Sequence, residues 1–195
     1  YANNSSTIKL DGNLTEPIQI KTGVRQGDIL SPLLFNIFIN DIIQEFNSQE
    51  CYPPSLINEQ VGSLLYADDL VIMSTSAAGL QNSINKLSSY CSKWKMEVNM
   101  SKTKLMCLTK SRNSCNLNIT LNGTKLEQVK SYYYLGIDVS SNGTFKQAET
   151  SMTAKAKKAL FKLQGLLVQS NLKPSLCLRL FDQLIEPMCL YGSEI

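Results

Sequence analysis

Apolar and polar residues change period several times along the chain, and each change marks an expected element. Ile8-Lys9-Leu10 and Ile18-Gln19-Ile20 alternate around Asp11-Gly12-Asn13, which predicts a hairpin with a few extra loop residues. A loop with two glycines follows, Thr22-Gly23-Val24-Arg25-Gln26-Gly27-Asp28. The spacing then predicts a helix from Ser31 to about Asn47. The Ser31 hydroxyl can cap it, and Pro32 fits the first helical position. Leu34, Phe35, Phe38, Ile39, Ile42, Ile43 and Phe46 form a stripe wide enough for a buried helix. Cys51 to Gln60, with Pro53-Pro54, reads as a loop.

Two short apolar runs, Leu64-Leu65 and Leu70-Val71-Ile72-Met73, flank Tyr66-Ala67-Asp68-Asp69. They predict a strand–turn–strand hairpin over about 62–75 with both acids at its tip. Leu80, Ile84, Leu87, Tyr90 and Cys91 mark an amphipathic helix running to about Lys95. Leu105 to Leu108 is an expected short strand. Ile119-Thr120-Leu121 and Thr124-Lys125-Leu126 flank Asn122-Gly123, a tight-turn signal. One strand is expected from Tyr132 to Val139, stopping at Asn142-Gly143. From Phe145 the period becomes helical through Met152, Ala156, Ala159-Leu160, Leu163 and Leu167. A last helix starts near Pro174 and is ended or kinked by Pro187. Strands interleaved with helices, then two helices, predict an α+β fold with a helical appendage.

The acidic pair carries the chemistry. Adjacent ionised carboxylates repel each other, so packing alone does not call for them. A divalent cation removes the repulsion, and hard oxygen ligands on a rigid turn suit Mg²⁺ shared with a substrate phosphate. Such a pair serves two-metal phosphoryl transfer in polymerases. A solvated turn is the plain alternative, since Asp is a favoured turn residue.

Composition narrows the field. At 195 residues, 43% apolar and 18% charged, the chain fits a globular protein with one sizeable core and no membrane span. It has neither an initiator Met nor a signal peptide, which fits a piece of a longer intracellular protein. There is no histidine, so zinc fingers, His-containing zinc knuckles and Ser-His or Cys-His triads are excluded within these residues. The six cysteines are scattered, with no Cys-x-x-Cys, and are expected as free thiols. Residues 1–92 carry 4 basic and 9 acidic side chains, whereas residues 93–195 carry 15 and 7. An acidic half bearing the Asp pair, followed by a basic half, fits a metal site beside a polyanion track.

Taken in order, the motifs resemble a known family. Gly23-Val24-Arg25-Gln26-Gly27-Asp28-Ile29-Leu30-Ser31-Pro32-Leu33-Leu34-Phe35-Asn36 is similar to motif B of the reverse transcriptases of non-LTR (LINE-type) retrotransposons. Tyr66-Ala67-Asp68-Asp69 resembles their motif C. Asn99-Met100-Ser101-Lys102-Thr103-Lys104 resembles motif D, and Tyr133-Tyr134-Leu135-Gly136 resembles motif E, the primer grip. The stretch through Leu190-Tyr191-Gly192 resembles the start of the thumb.

The resemblance implies a polymerase palm, an antiparallel sheet with packed helices, over 1–142, and the start of a helical thumb over 143–195. It implies an RNA-directed DNA polymerase that uses an RNA template, a DNA primer and dNTPs, with two Mg²⁺ ions and a nuclear location. Asp68 and Asp69 are then the catalytic metal ligands. The third carboxylate belongs to motif A, which is expected outside this chain; Asp11 lacks that motif's apolar context. The isolated piece is accordingly expected to be inactive. The alternative is a non-catalytic remnant that at most binds nucleic acid.

Further roles come from the resemblance, each beside a plainer one. Gln26 and Gly27 fall where the family approaches the incoming nucleotide: glycine permits close backbone approach, and glutamine both donates and accepts. Arg25 offers a phosphate fork or a surface ion pair. Tyr66 stands beside primer or nucleotide, or simply packs on the hairpin. Lys102 assists the leaving pyrophosphate or lies in solvent. Tyr134, Leu135 and Gly136 hold the primer end or pack as a strand. Lys155, Lys158 and Lys162 share one helix flank, as a nucleic-acid track or a solvated face. Trp94 is expected in the core.

Overall fold

Paired residues at positive φ fold the N-terminal segment back upon itself. The computed structural model describes residues 4–110, 115–170 and 172–193. β1 (Ser5–Ser6), β2 (Lys9–Leu10), β3 (Asn13–Leu14) and β4 (Ile18–Gln19) come first. β2 and β3 close directly around Asp11-Gly12, at φ 48° and 87°, as a tight two-residue turn requires. β1 pairs with β4 outside them, Ser6 opposite Ile18. The single long-looped hairpin expected between 8–10 and 18–20 is therefore two nested ladders.

The long helix expected over 31–47 is also divided, into α1 (Ser31–Ile39) and α2 (Ile42–Phe46). The break falls at Asn40-Asp41, whose short polar side chains compete with helical backbone bonding. The stripe is buried only in part. Ile39, Ile42 and Phe46 are buried, whereas Leu34 and Phe38 of the same stripe are exposed. A 3-10 turn at Gln49–Cys51 follows. The stretch expected as a loop then holds β5 (Ser55–Leu56) and β6 (Glu59–Gln60), antiparallel around Ile57-Asn58, both at positive φ.

β7 (Ser63–Tyr66) and β8 (Asp69–Ile72) form the expected Asp-pair hairpin. α3 (Ala77–Trp94) is the expected amphipathic helix. Ser76 Oγ caps its N-terminus by accepting from the Gly79 amide, and Lys95 at positive φ ends it. β9 (Lys104–Leu105) is shorter than the strand expected over 105–108. Asn122-Gly123, both at positive φ, turn the chain between β10 (Thr120–Leu121) and β11 (Thr124–Lys125) as the sequence predicts. β12 (Glu127–Gln128) runs parallel to β9, a pairing with no local signal, and Lys104 and Glu127 form an ion pair across it.

The strand expected over 132–139 is instead a hairpin, β13 (Ser131–Tyr134) and β14 (Ile137–Ser140), turned at Leu135-Gly136. α4 (Lys146–Ser170), α5 (Pro174–Leu184) and α6 (Glu186–Leu190) complete the chain. Pro187 sits in the first turn of α6, where its missing N–H costs nothing, and the helix breaks just before it.

The chain packs as two units, residues 1–97 with 120–123, and residues 98–119 with 124–195. This division lies ahead of the 142/143 boundary expected between palm and thumb. In the first unit α2 packs on α3, and Ile42, Phe46, Ile84, Leu87, Tyr90 and Leu121 are buried. In the second, Ala156, Leu163 and Ile185 form a cluster flanked by Ala159, Leu167 and Leu180. Every ladder among the described residues is two-stranded. Helix and strand are mixed as expected for α+β, but among the described residues no continuous antiparallel sheet joins the hairpins. Among the described residues no helix is long and apolar enough to cross a membrane.

Candidate functional site

The acidic pair is built by a two-residue turn. Tyr66 stands opposite Asp69 in the β7–β8 register, which leaves Ala67 and Asp68 to reverse the chain. Ala67 takes φ 51°, a left-handed conformation that hairpin turns require and alanine rarely adopts. Asp68 thus occupies the turn, and Asp69 opens β8. Both are exposed, as is Tyr66. Among the described residues neither carboxylate is ion-paired. Two like charges stand side by side with no counter-charge paired to them among the described residues.

The base of this hairpin is anchored. The Gly62 amide donates to Asn47 Oδ1 at 3.1 Å, and the Met73 amide donates to the Gly62 carbonyl at 2.8 Å. Gly62 has no room for a side chain: a Cβ there would lie 2.3 Å from the Phe46 carbonyl oxygen. Beyond β8, Ser74 Oγ donates to the Cys51 carbonyl at 2.7 Å, and the Thr75 amide donates to the Tyr52 carbonyl at 2.8 Å. The tip is therefore presented from a base fixed to the end of α2 and to the 51–52 segment.

The donor set matches a hard divalent cation in kind, since carboxylate oxygens on one turn are the ligands Mg²⁺ prefers. It is short in number. Among the described residues no group of three or more His, Cys, Asp or Glu gathers at any point. Asp68 and Asp69 could supply only part of a coordination shell. A cavity of about 300 Å³ in the same unit is lined by Asp41, Glu45, Lys86, Tyr90 and Lys93, not by the turn residues. The Asp pair stands on open surface.

The residues expected at the nucleotide form a second turn in the same unit. The Asp28 amide donates to the Arg25 carbonyl at 3.3 Å, and Gly27 at φ 85° takes the position that a type II turn reserves for glycine. Ser31 does not cap α1 as expected; Leu30 holds the cap position. The Ser31 hydroxyl donates instead to the Arg25 carbonyl at 2.5 Å, clasping the turn to the helix start. The Leu30 amide donates to Asp28 Oδ1 at 3.0 Å. Arg25, Gln26 and Gly27 are exposed on this clasped turn. Nothing in the sequence pattern distinguishes a clasping serine from a capping one.

The remaining candidates belong to the second unit. Lys102 is exposed on a loop organised by Asn99. Asn99 Oδ1 accepts from the amides of Ser101 at 3.1 Å and Lys102 at 3.2 Å. The Tyr132 hydroxyl donates to the Lys102 carbonyl at 3.3 Å. Tyr134 ends β13, and Leu135 and Gly136 make the turn at φ 45° and 89°. Lys155, Lys158 and Lys162 are all exposed on α4, but they differ in contacts. Lys155 Nζ donates to the Tyr133 hydroxyl at 2.8 Å and lies 4.6 Å over its ring. Sequence spacing does not separate Lys155 from the other two.

Trp94, expected in the core, is instead exposed, because the Phe38 ring it meets edge-on, with centroids 5.3 Å apart, is itself at the surface; Lys93 Nζ lies 5.3 Å over the Trp94 ring. Burial, and then the hydrogen bond to Asp41, push the Tyr90 hydroxyl well above the usual phenol range. Burial also raises the Cys91 thiol. The thiol of Cys107 is raised by its hydrogen bond with Cys115, and next by burial. All six cysteines are free, as expected.

Comparison with known proteins agrees with the family resemblance. The family described as "Reverse transcriptase (RNA-dependent DNA polymerase)" matches residues 2–139. The probable RNA-directed DNA polymerase from transposon BS of Drosophila melanogaster is 28% identical, over 96% of this chain and 21% of its own length. The RNA-directed DNA polymerase from mobile element jockey of the same organism is 23% identical, over 96% of this chain and 21% of its own. A Pol polyprotein from the type-1 retrotransposable element R2 of Popillia japonica is 26% identical, over 97% of this chain and 31% of its own. The chain thus spans between a fifth and a third of the length of these relatives. The match over most of its residues shows that the chain belongs to the reverse transcriptase family, among the RNA-directed DNA polymerases of non-LTR retrotransposons.

Proposed function

We propose that this chain carries palm and thumb elements of an enzyme that copies an RNA template into DNA, joining a dNTP to a primer 3′-hydroxyl. The observation that carries the reading is the Asp68-Asp69 pair, exposed, without an ion pair among the described residues, and held on a turn whose base is anchored. Asp68 and Asp69 would hold Mg²⁺, which when bound neutralises charge on the attacking and leaving oxygens of an in-line displacement.

The other residues act on the nucleotide and primer. The Arg25–Asp28 turn offers backbone close to an incoming nucleotide at Gly27, with the Gln26 amide available to donate or accept. Arg25 offers a fork to its phosphates. Tyr66, one residue before the turn, presents a ring beside the reacting end. Lys102 donates a proton toward the departing pyrophosphate, on a loop that Asn99 orders. Tyr134, Leu135 and Gly136 hold the primer end, and Lys158 and Lys162 follow the backbone of the hybrid as point charges. The polymerase would work where its template meets chromosomal DNA, in the nucleus.

Two carboxylates alone leave the cation under-ligated, so the 195-residue chain by itself extends no primer. In a polypeptide extended to the length of its relatives, Asp68→Asn abolishes template-directed dNTP incorporation while circular dichroism stays unchanged. Wild-type incorporation by that variant refutes the assignment. Incorporation by the 195-residue chain above the level of its own Asp68→Asn variant supports a complete site within these residues and overturns the inactivity.

A further inference from the structure

The tip of the β13–β14 hairpin is gripped by residues outside it. Tyr191, just after α6, donates its phenolic hydrogen to the Leu135 carbonyl at 2.5 Å. Its ring edge fills the space beside Gly136, where a Cβ would lie 2.9 Å from Tyr191 Cε1. Gly192 is equally close to the hairpin: a Cβ there would lie 2.7 Å from Ile137 Cδ1. From α4, Lys155 donates to the Tyr133 hydroxyl at 2.8 Å and covers its ring. The turn between these contacts is strained, because Leu135 holds φ 45°, a region where a leucine is an outlier. Such a conformation persists only where its surroundings over-determine it.

We propose that Tyr191 and Lys155 form a latch that sets the direction of the hairpin tip, and that both are positioning residues for the primer end. The inference rests on the reading that Tyr134, Leu135 and Gly136 hold that end. Alignment of a reacting terminus is sensitive to displacements of about 1 Å. A two-residue tip on a four-residue ladder has few bonds of its own to resist such a shift. Tyr191 fixes the tip through its backbone oxygen, and Lys155 fixes one arm through the Tyr133 ring. Lys155 therefore acts through Tyr133, unlike Lys158 and Lys162, which face the nucleic acid as charges.

The test uses the full chain and two fluorescent RNA–DNA hybrids of equal length, one with a recessed DNA 3′ end and one blunt, in anisotropy titrations. Tyr191→Phe removes one hydroxyl and keeps the ring. Its preference for the recessed hybrid falls about threefold to tenfold, the range of one lost neutral hydrogen bond, while blunt-hybrid affinity is unchanged. Lys155→Met keeps the aliphatic stem and reduces the preference in the same direction. Amide exchange at 135–137 speeds up about fivefold in Tyr191→Phe, with α3 unaffected. A purely structural role would weaken both hybrids equally, and that result overturns the latch. Gly136→Ala separates latch from grip, because it disturbs the tip directly. Loss of preference in Gly136→Ala, with wild-type preference in Tyr191→Phe, overturns the latch and leaves the primer contact standing. Wild-type preference in all three variants, or no preference in the parent chain, overturns the primer contact and the latch with it.

Discussion

Gly62 should be the residue on which the acidic hairpin most depends. A Cβ at this position would lie 2.3 Å from the Phe46 carbonyl oxygen, 2.8 Å from its carbon and 3.0 Å from Asn47 Oδ1. An unstrained carbon–oxygen contact needs about 3.3 Å, so Gly62→Ala must move backbone by about 1 Å. Phe46 is fully buried and has nowhere to retreat. The shift breaks the Gly62–Asn47 hydrogen bond, for about 1 kcal/mol, and overpacks the end of α2, for about 1–3 kcal/mol. The sum, about 2–4 kcal/mol, is a large share of a domain stability of about 5–15 kcal/mol. For a chain of this size Tm falls by about 4–16 °C. Gly165→Ala is the internal control. It lies within α4, nothing stands within 4 Å of its Cβ, and the same substitution there stabilises by about 0.5–1 kcal/mol. Urea denaturation followed by circular dichroism reads both. A Gly62→Ala variant within roughly 0.5 kcal/mol of the parent would refute the close-approach argument.

Three further outcomes are expected. Lys158→Ala with Lys162→Ala lowers the log–log salt slope of primer–template binding by about 2 between 50 and 200 mM salt, and an unchanged slope removes the charge track. Tyr90→Phe costs about 1–3 kcal/mol by deleting the bond to Asp41. The folded state holds the Tyr90 proton more tightly than the unfolded state, so this stabilisation is complete below about pH 10 and is lost as pH rises further. Denaturation at pH 9 and pH 11 should therefore show a smaller gap between parent and variant at the higher pH; a gap that widens contradicts the sign. At pH 8, iodoacetamide should modify exposed Cys189 well before Cys91, whose thiol is buried and raised; mass spectrometry of the digests decides, and equal labelling counts against the packing of α3.

Turn chemistry and helical period were legible along the chain because they are local. Asn122-Gly123 specifies its own turn, and the 3.6-residue period of Leu80, Ile84, Leu87 and Cys91 specifies α3. The Asp pair was legible for a different reason: like charges between apolar arms have no packing explanation. The sequence by itself thus determined the acidic hairpin, the order of motifs and the family. Tertiary structure decided what depends on residues distant in the chain. It bonded Tyr90, at the far end of α3, to Asp41 at the break in the 31–47 helix. It folded 131–140 back on itself at Leu135-Gly136, where Tyr191 bonds the tip, although the tyrosine run reads as one strand. It also paired β9 with β12 in parallel and drew Lys155 away from the other lysines to Tyr133. A hydrogen bond or steric contact between residues some twenty to sixty positions apart leaves no periodic trace in either segment, so only the folded chain reveals which polar group each one meets.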